Sequence, residues 1–254
     1  MSALTLRIIA TVSMLLDHIG LCYNIYPLRI IGRLAFPLYV FLMVNGFRHT
    51  KNRTKYAIRF AIFAVISQIP FLLMSGRGFI DLKYLMAYPD VLFRSFNVMV
   101  TLLYGLIVIW LGELLRKGKR TKYVCLLPAI IAFLTYYFGL IRSDYGAKGI
   151  LLATAFWFFD GKKIWTALGL IAAMYYDYFL GCAASILHAR ALPIPTTWQL
   201  MSLVILLTLP MIFFYNDKSG MPKNPKAKKT IQLFFYAFYP LHMLILFLMI
   251  RFAA

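Results

Sequence analysis

Nine long runs of apolar residues, joined by short polar loops, constrain this chain more than any other feature of its sequence. A helix needs about 20 apolar residues to cross the hydrocarbon core of a bilayer. The runs lie at residues 3–23, 30–48, 56–75, 95–115, 122–141, 145–160, 163–180, 198–215 and 231–251. Only 14% of the residues are charged, whereas soluble domains carry roughly 25%. We therefore predict an all-α, polytopic transmembrane helix bundle of about nine spans (8–10), with a single domain over residues 1–254.

The positive charge of the chain lies mostly in alternate loops. The net charge is +19, and 18 of the 27 lysines and arginines fall on one side of the alternating runs. These are Arg7 near the N-terminus and the charges of the loops at residues 48–59, 116–122, 162–163 and 218–229. This asymmetry is typical of the cytoplasmic side of a membrane protein. We therefore expect a lipid bilayer and no nucleic acid as partner, a cytoplasmic N-terminus and an extracytoplasmic C-terminus. The three cysteines are too scattered for a metal site.

Asp17 and His18 stand side by side within the first apolar run. Ionisable groups at membrane depth are costly and usually serve a function. Neighbours on a helix point about 100° apart, so the two side chains do not face each other. We predict that His18 faces a cavity while Asp17 turns toward a neighbouring span and pairs with a cation. Arg33 either is that cation or extends to the outer membrane interface.

Further polar residues lie in the outer halves of later runs. Asn97 begins the fourth run, Asp177 ends the seventh, and His242 lies near the middle of the ninth. We predict that these groups and the first-run pair converge on one cavity that opens outward. His242 follows Pro240, and it either lines that cavity or has a structural role.

A basic cluster, Arg48, His49 and Lys51, follows the second run. It either sets the topology alone or also binds the phosphates of a cytosolic nucleotide-like donor. No glycine-rich phosphate loop accompanies it.

Several segments together resemble one known family. They are DHIG, GRLAFPLYVFLMVNGFRHT, SQIP, NVMVTLLYG, YGAKGILL and FYAFYPLH, in that order along the chain. The sequence resembles the TraX family of integral inner-membrane proteins, which are associated with N-terminal acetylation of pilin. The plan of these proteins is similar to that of the transmembrane acyltransferases that include heparan-α-glucosaminide N-acetyltransferase. The resemblance covers most of the chain and aligns its motifs with Asp17, His18, Arg33, Asn45, Arg48, His49, Tyr239 and His242.

The resemblance implies a multi-pass acetyltransferase of the bacterial cytoplasmic (inner) membrane. Acetyl-CoA would be its donor substrate, with no metal, and an extracytoplasmic peptide or glycan its acceptor. We expect His18 to act as general base or acetyl carrier, with Asp17 and Arg33 in the catalytic group. Arg33 and Asn97 are the candidate donors to the oxyanion. Arg48, His49, Lys51 and Asn45 are the candidate donor-binding residues, and Asn97, Tyr239, His242 and Asp177 the candidate cavity residues.

Two other classes of function fit the same residues. Intramembrane Asp and His also serve proton relays, so a proton-coupled small-molecule transporter is one alternative. A non-catalytic assembly factor for a surface structure is the other. The sequence shows no internal repeat, a feature that many transporter folds contain.

Overall fold

A computed structural model describes residues 1–77, 79–117, 123–188 and 192–253, and this part of the chain is mostly helical. The helices are α1 Ala3–Tyr23, α2 Tyr26–Gly32, α3 Ala35–His49, α4 Arg53–Ser75, α5 Leu82–Ala87, α6 Val91–Arg94, α7 Val98–Lys117, α8 Leu127–Tyr137, α9 Gly146–Phe158, α10 Lys163–Met174, α11 Tyr176–Leu187, α12 Thr197–Met201, α13 Thr208–Phe213 and α14 Pro225–Ala253. Two 3₁₀ helices cover Val124–Leu126 and Ser202–Leu207. Lys119, Arg120 and Lys122 of the predicted basic loop lie outside the described residues.

Five segments of the described chain are long and apolar enough to cross a membrane. They are Ala3–Tyr23, Tyr26–His49, Arg53–Ser75, Val98–Arg116 and Pro225–Phe252. The second segment joins α2 and α3 through a short turn. These five segments coincide with the first four predicted runs and the ninth, because each run is continuous in apolar residues over its full length.

The remaining predicted runs form shorter or bent helices. The seventh run is broken, because α10 and α11 meet at an angle of 72° and make at most one further span. The fifth, sixth and eighth runs form the short apolar helices Val124–Tyr137, Gly146–Phe158 and Gln199–Phe213. The 13 residues of α9 rise only about 20 Å, less than the thickness of a hydrocarbon core. The described chain thus has five or six full-length candidate spans, and a count of nine stays a prediction.

Three of the basic loops, at residues 48–59, 162–163 and 218–229, gather at one end of the bundle, which we call the basic end. The Ala3 amide donates to the Lys218 carbonyl at 2.8 Å, which holds the N-terminal segment against the segment before α14. At the same end, Arg48 pairs with Asp160 at 2.7 Å. Arg251 lies 3.8 Å from Asp81 at the opposite end of the bundle. The described loops therefore alternate between two ends as the charge pattern predicts, while the cellular side of each end stays a prediction.

The core of the bundle is built from α1, α3, α7, α9 and α10. Leu6, Leu38, Ile109, Ile150 and Leu170 are completely buried in it. The outer faces of the long helices remain apolar as well, and many of their isoleucine, leucine and phenylalanine side chains are exposed. Exposed apolar surface on this scale is typical of contact with lipid.

Candidate functional site

The first and last of the long helices meet at a pair of histidines. His18 of α1 and His242 of α14 approach with 2.6 Å between Nδ1 of His18 and Nε2 of His242. The two rings are nearly parallel, at an interplanar angle of 3°. His242 is buried and His18 is partly buried. The sequence left open whether His242 lines the predicted cavity or has a structural role. The structure brings it into contact with His18, and it does not line the cavities described below.

The hydrogen bonds of this histidine pair fix the position of each proton. Nδ1 of His242 lies 2.7 Å from the carbonyl oxygen of Phe238, which can only accept, so this nitrogen carries a proton. In neutral His242 the other nitrogen, Nε2, is therefore an acceptor. Nδ1 of His18 must then donate to it. The pair accordingly leaves Nε2 of neutral His18 with an available lone pair, the form that a base or nucleophile requires.

Asp17 holds two arginines beside the histidine pair. Nη1 of Arg29 lies 3.1 Å from one carboxylate oxygen of Asp17, and Nη2 of Arg33 donates to the other. The side chains of Asp17 and Arg33 are each 12% exposed, and that of Arg29 is 18% exposed. The predicted pairing of Asp17 with Arg33 is therefore confirmed, and the alternative in which Arg33 extends to the membrane interface is wrong. We call these three residues the Asp17 cluster.

Sequence reasoning missed Arg29, although a signal for it was present. Arg29 lies four residues before Arg33, so a helix places both guanidinium groups on one face. A glycine then brings that face close to α1: a Cβ added at Gly32 would overlap the Cβ of Asp17. The absence of a side chain at Gly32 therefore allows both arginines to reach the same carboxylate.

Two neighbouring cavities lie beside these groups. A small cavity of about 40 Å³ is lined by Asp17, His18 and Tyr239, among others. Asp144 and Tyr145 line both this small cavity and a larger one of about 530 Å³, which we call the vestibule. Tyr239, a predicted cavity residue, therefore lines the same small cavity as His18.

The vestibule is polar and lies at the end opposite the basic end. Arg33 lines it, as do Lys148 and Asp177, which pair at 3.1 Å. Burial raises the pKa of Asp144, in the turn before α9, to about 6, and Arg33 opposes that shift. Asp177 therefore lines the vestibule and not the small cavity that contains His18. Charged groups of both signs line a space that is large enough for part of a polar substrate.

The prediction that Asn97 lines this cavity is wrong. Its side-chain amide nitrogen donates to the Ala64 carbonyl at 2.7 Å and to Oε1 of Gln68 at 2.8 Å. Its Oδ1 accepts the Met99 amide at 3.0 Å. Asn97 immediately precedes α7, where such side chains commonly satisfy the first amides of a helix. The amide group therefore joins α7 to α4, and it is not oriented toward the histidine pair.

The predicted donor-binding residues lie at the basic end, in a cavity of about 500 Å³ that we call the basic cavity. Asn45, Arg48 and His49 line it, whereas Lys51 is exposed in the following turn and lies outside its lining. Arg48 is engaged within the protein, because it pairs with Asp160 at 2.7 Å and donates to the Phe156 carbonyl at 2.6 Å.

Asn45 and His49 also have partners within the protein. Nδ2 of Asn45 donates to the hydroxyl of Tyr215 at 2.7 Å, and Nε2 of His49 lies 3.4 Å from Asp217. Lys162 and Lys163 line the same cavity. The basic cavity is therefore organised mainly by contacts between neighbouring loops.

Comparison with known proteins identifies the family. The sequence profile of the family described as TraX protein matches residues 2–250. The chain belongs to the TraX family. A curated relative, "Probable fimbrial assembly protein FimC, serogroup H1" of Dichelobacter nodosus, is 28% identical to this TraX chain over 258 residues, 96% of this chain and 94% of the relative. No solved structure matches the chain. The family match and the apolar helices together identify a multi-pass membrane protein.

Proposed function

We propose that this TraX protein is an acetyltransferase of the bacterial inner membrane. It transfers an acetyl group from cytosolic acetyl-CoA to an amine or hydroxyl acceptor on the opposite side. The observation that carries the proposal is the direction of the two hydrogen bonds in the histidine pair, which leaves a lone pair on Nε2 of His18. Acyl-transfer sites typically contain a histidine base whose tautomer is fixed by a hydrogen bond to a second group.

The chemistry needs one proton transfer and one bond exchange. Nε2 of His18 takes a proton from the acceptor nitrogen or oxygen as that atom attacks the thioester carbonyl carbon. The carbon–sulfur bond then breaks, and the CoA sulfur leaves with the electron pair and takes the proton from His18. The products are the acetylated acceptor and CoA as a free thiol. General-base catalysis of this kind contributes about 10²- to 10⁴-fold to the rate.

The Asp17 cluster and the vestibule have separate tasks in this proposal. The guanidinium of Arg33, oriented by Asp17, stabilises the negative charge on the carbonyl oxygen during attack. The acceptor enters through the vestibule, where Asp177 and Lys148 offer charges of both signs to an amine terminus or a polar sugar. The basic end faces the cytosol, in agreement with the charge asymmetry of the loops.

The test uses purified protein in lipid nanodiscs with acetyl-CoA labelled on the acetyl group. We expect wild-type protein to bind the labelled donor and release the label to water or to an added amine. His18→Ala should bind the donor but turn over about 10²- to 10⁴-fold more slowly. The matched control is His188→Ala, because His188 is exposed and bonds only to the Ala184 carbonyl in its own turn. The absence of donor binding by the wild type would reject the proposal.

A rapid-quench measurement separates the two chemical routes. A labelled acetyl-histidine peptide that contains residue 18 would show that His18 carries the acetyl group. Label found only in acceptor and donor would support the general-base route.

A non-catalytic role in assembly is a second candidate, and the name of the fimbrial relative favours it. In that case His18→Ala would leave fibre assembly in cells unchanged, whereas removal of the whole protein would abolish it. The acetyltransferase proposal instead predicts that His18→Ala abolishes the cellular modification at normal protein levels. A transporter has no comparable observation in its favour.

A further inference from the structure

One face of α1 connects the basic end to the histidine pair. Arg7, Thr11, Met14 and His18 follow one another at spacings of four, three and four residues, which places them along a single helical face. The distance along the helix axis from Arg7 to His18 is about 16 Å. Thr11, between them, hydrogen-bonds to the hydroxyl of Tyr39 at 2.9 Å.

A matching face of α14 lies opposite. Gln232, Phe235, Tyr239 and His242 are spaced by three or four residues and again share one face. The guanidinium of Arg7 lies over the ring of Phe235 at 5.4 Å. The two faces therefore meet at both ends, at Arg7 with Phe235 and at His18 with His242.

A cavity of about 140 Å³, which we call the chamber, is lined by residues of both faces. Arg7 and Met14 of α1 line it, together with residues of α3, α4, α7 and α14, so all five long spans contribute to its wall. The wall is mostly apolar and aromatic. The chamber shares five lining residues with the small cavity beside His18. These are Met14, Tyr39, Val98, Leu102 and Tyr239.

The basic cavity, in the described part of the chain, does not adjoin the small cavity in this way. It shares none of its lining residues in the described chain with the small cavity. Phe41 and Phe156, both in its lining, pack edge to face at 5.9 Å. Arg48, the residue that the sequence favoured for phosphate binding, is engaged with Asp160. A donor seated in the basic cavity would therefore meet a packed core before it reached the histidines.

We propose that the chamber binds the long uncharged arm of a phosphate-bearing acyl thioester. This inference rests on the proposed function and gives the donor a site other than the basic cavity. The amide-containing arm would lie between α1 and α14, with its thioester end at His18. An apolar wall with few polar groups suits such an arm better than it suits the phosphates themselves.

The basic end of the chamber lies near the charges that the other end of such a donor needs. Lys228 and Lys229 are exposed and lie four and three residues before Gln232, on the turn of α14 next to the chamber. Arg7 lies within its lining. These three cations would bind the phosphates outside the apolar wall, so the donor would not need to move a charged group into the bundle.

The test compares two probes, acetyl-CoA and adenosine 3′,5′-bisphosphate, which lacks the arm. Met99→Trp adds bulk to the wall of the chamber and should weaken acetyl-CoA binding about tenfold or more, with little effect on the bisphosphate. Lys228→Gln with Lys229→Gln should weaken both probes, more so in low salt. Phe213→Trp is the matched control, because it adds bulk to the basic cavity instead.

The outcomes separate this inference from the proposed function. Wild-type protein that binds no acetyl-CoA would reject both. Wild-type binding that is lost in Phe213→Trp but kept in Met99→Trp would reject the chamber alone.

A second measurement covers the case in which Met99→Trp does not fold. A photoreactive acyl-CoA should label peptides of α3, α7 and α14 that line the chamber in wild-type protein, and excess CoA should prevent the labelling. Labelling confined to peptides of α13 would overturn the inference. So would labelling of the chamber by a photoreactive phospholipid that excess CoA does not displace.

Discussion

Two aspartates at opposite ends of the bundle each pair with arginine, and their surroundings differ greatly. Asp17 is 12% exposed and holds two arginines that are themselves mostly buried. Asp160 is 61% exposed and holds Arg48, which is 24% exposed. A buried charge without its partner is costly, whereas an exposed ion pair contributes little. The comparison teaches that burial, more than the presence of a pair, decides what a carboxylate does for this protein.

The largest effect is expected for Asp17→Asn. This change removes the carboxylate charge that both arginines share inside the bundle, so we expect the unfolding free energy to fall by about 3–5 kcal/mol. Thermal unfolding of the purified protein in nanodiscs measures the loss. A loss below about 1 kcal/mol would place Asp17 in the same class as Asp160 and remove the contrast.

The close approach of α2 to α1 is tested by Gly32→Ala. The new methyl group would overlap Asp17, and relief of that overlap would push the arginines away, at a cost of about 1–3 kcal/mol. Gly181→Ala is the control, since the nearest atom to its added Cβ is Cγ of Pro193 at 3.8 Å. The control should be neutral or stabilising, because alanine favours a helix more than glycine does. Equal losses in both variants would contradict the role assigned to Gly32.

Asp144 is a third carboxylate, and the pH dependence of stability tests whether its burial matters as the burial of Asp17 does. Burial raises its pKa to about 6, with Arg33 opposing the shift and Asp17 adding to it. The folded protein therefore holds this proton more tightly than the unfolded chain, and stability is lost as pH rises from about 4 to about 6. Asp144→Asn removes this loss.

The variant should thus gain about 1–2 kcal/mol relative to wild type at about pH 7, and less at about pH 4. Melting temperatures across that range, measured in the same nanodiscs, check the prediction. A difference between variant and wild type that does not change with pH would show that Asp144 does not titrate in the folded protein.

The smallest effect is expected for Asp160→Asn. Its carboxylate is mostly in contact with solvent, so the loss should be at most about 1 kcal/mol, and it should shrink further in high salt. Thermal unfolding at low and high salt measures it. A loss as large as that of Asp17→Asn would show that the basic cavity, like the Asp17 cluster, depends on a desolvated charge.

The sequence predicted the long helices well and the short ones poorly. The first run, residues 3–23, matches α1 at both ends, because a continuous apolar segment of that length is stable as one helix. The run at 163–180 was predicted as one span, but the helix breaks at Tyr175 and turns by 72°. Mean hydropathy does not distinguish a straight span from two short helices that pack at an angle.

The candidate site was also predictable only in part. The cost of burying charge was sufficient to select Asp17 and His18 and to pair Asp17 with Arg33. Asn97 looked equivalent, yet its Oδ1 accepts the Met99 amide in the first turn of α7, a local need that composition does not reveal. The function of the basic cluster stays a prediction, but the partners of Arg48 could not be inferred because they lie more than 100 residues along the chain.

The histidine pair joins residues that are 224 positions apart in the chain. During synthesis at about 5–20 residues per second, α1 waits roughly 10–45 seconds before α14 can reach it. Throughout that interval His18 lacks the partner that fixes its tautomer, and the chamber lacks one wall. Under the proposed function, His18 would therefore become reactive only when the last long helix is in place.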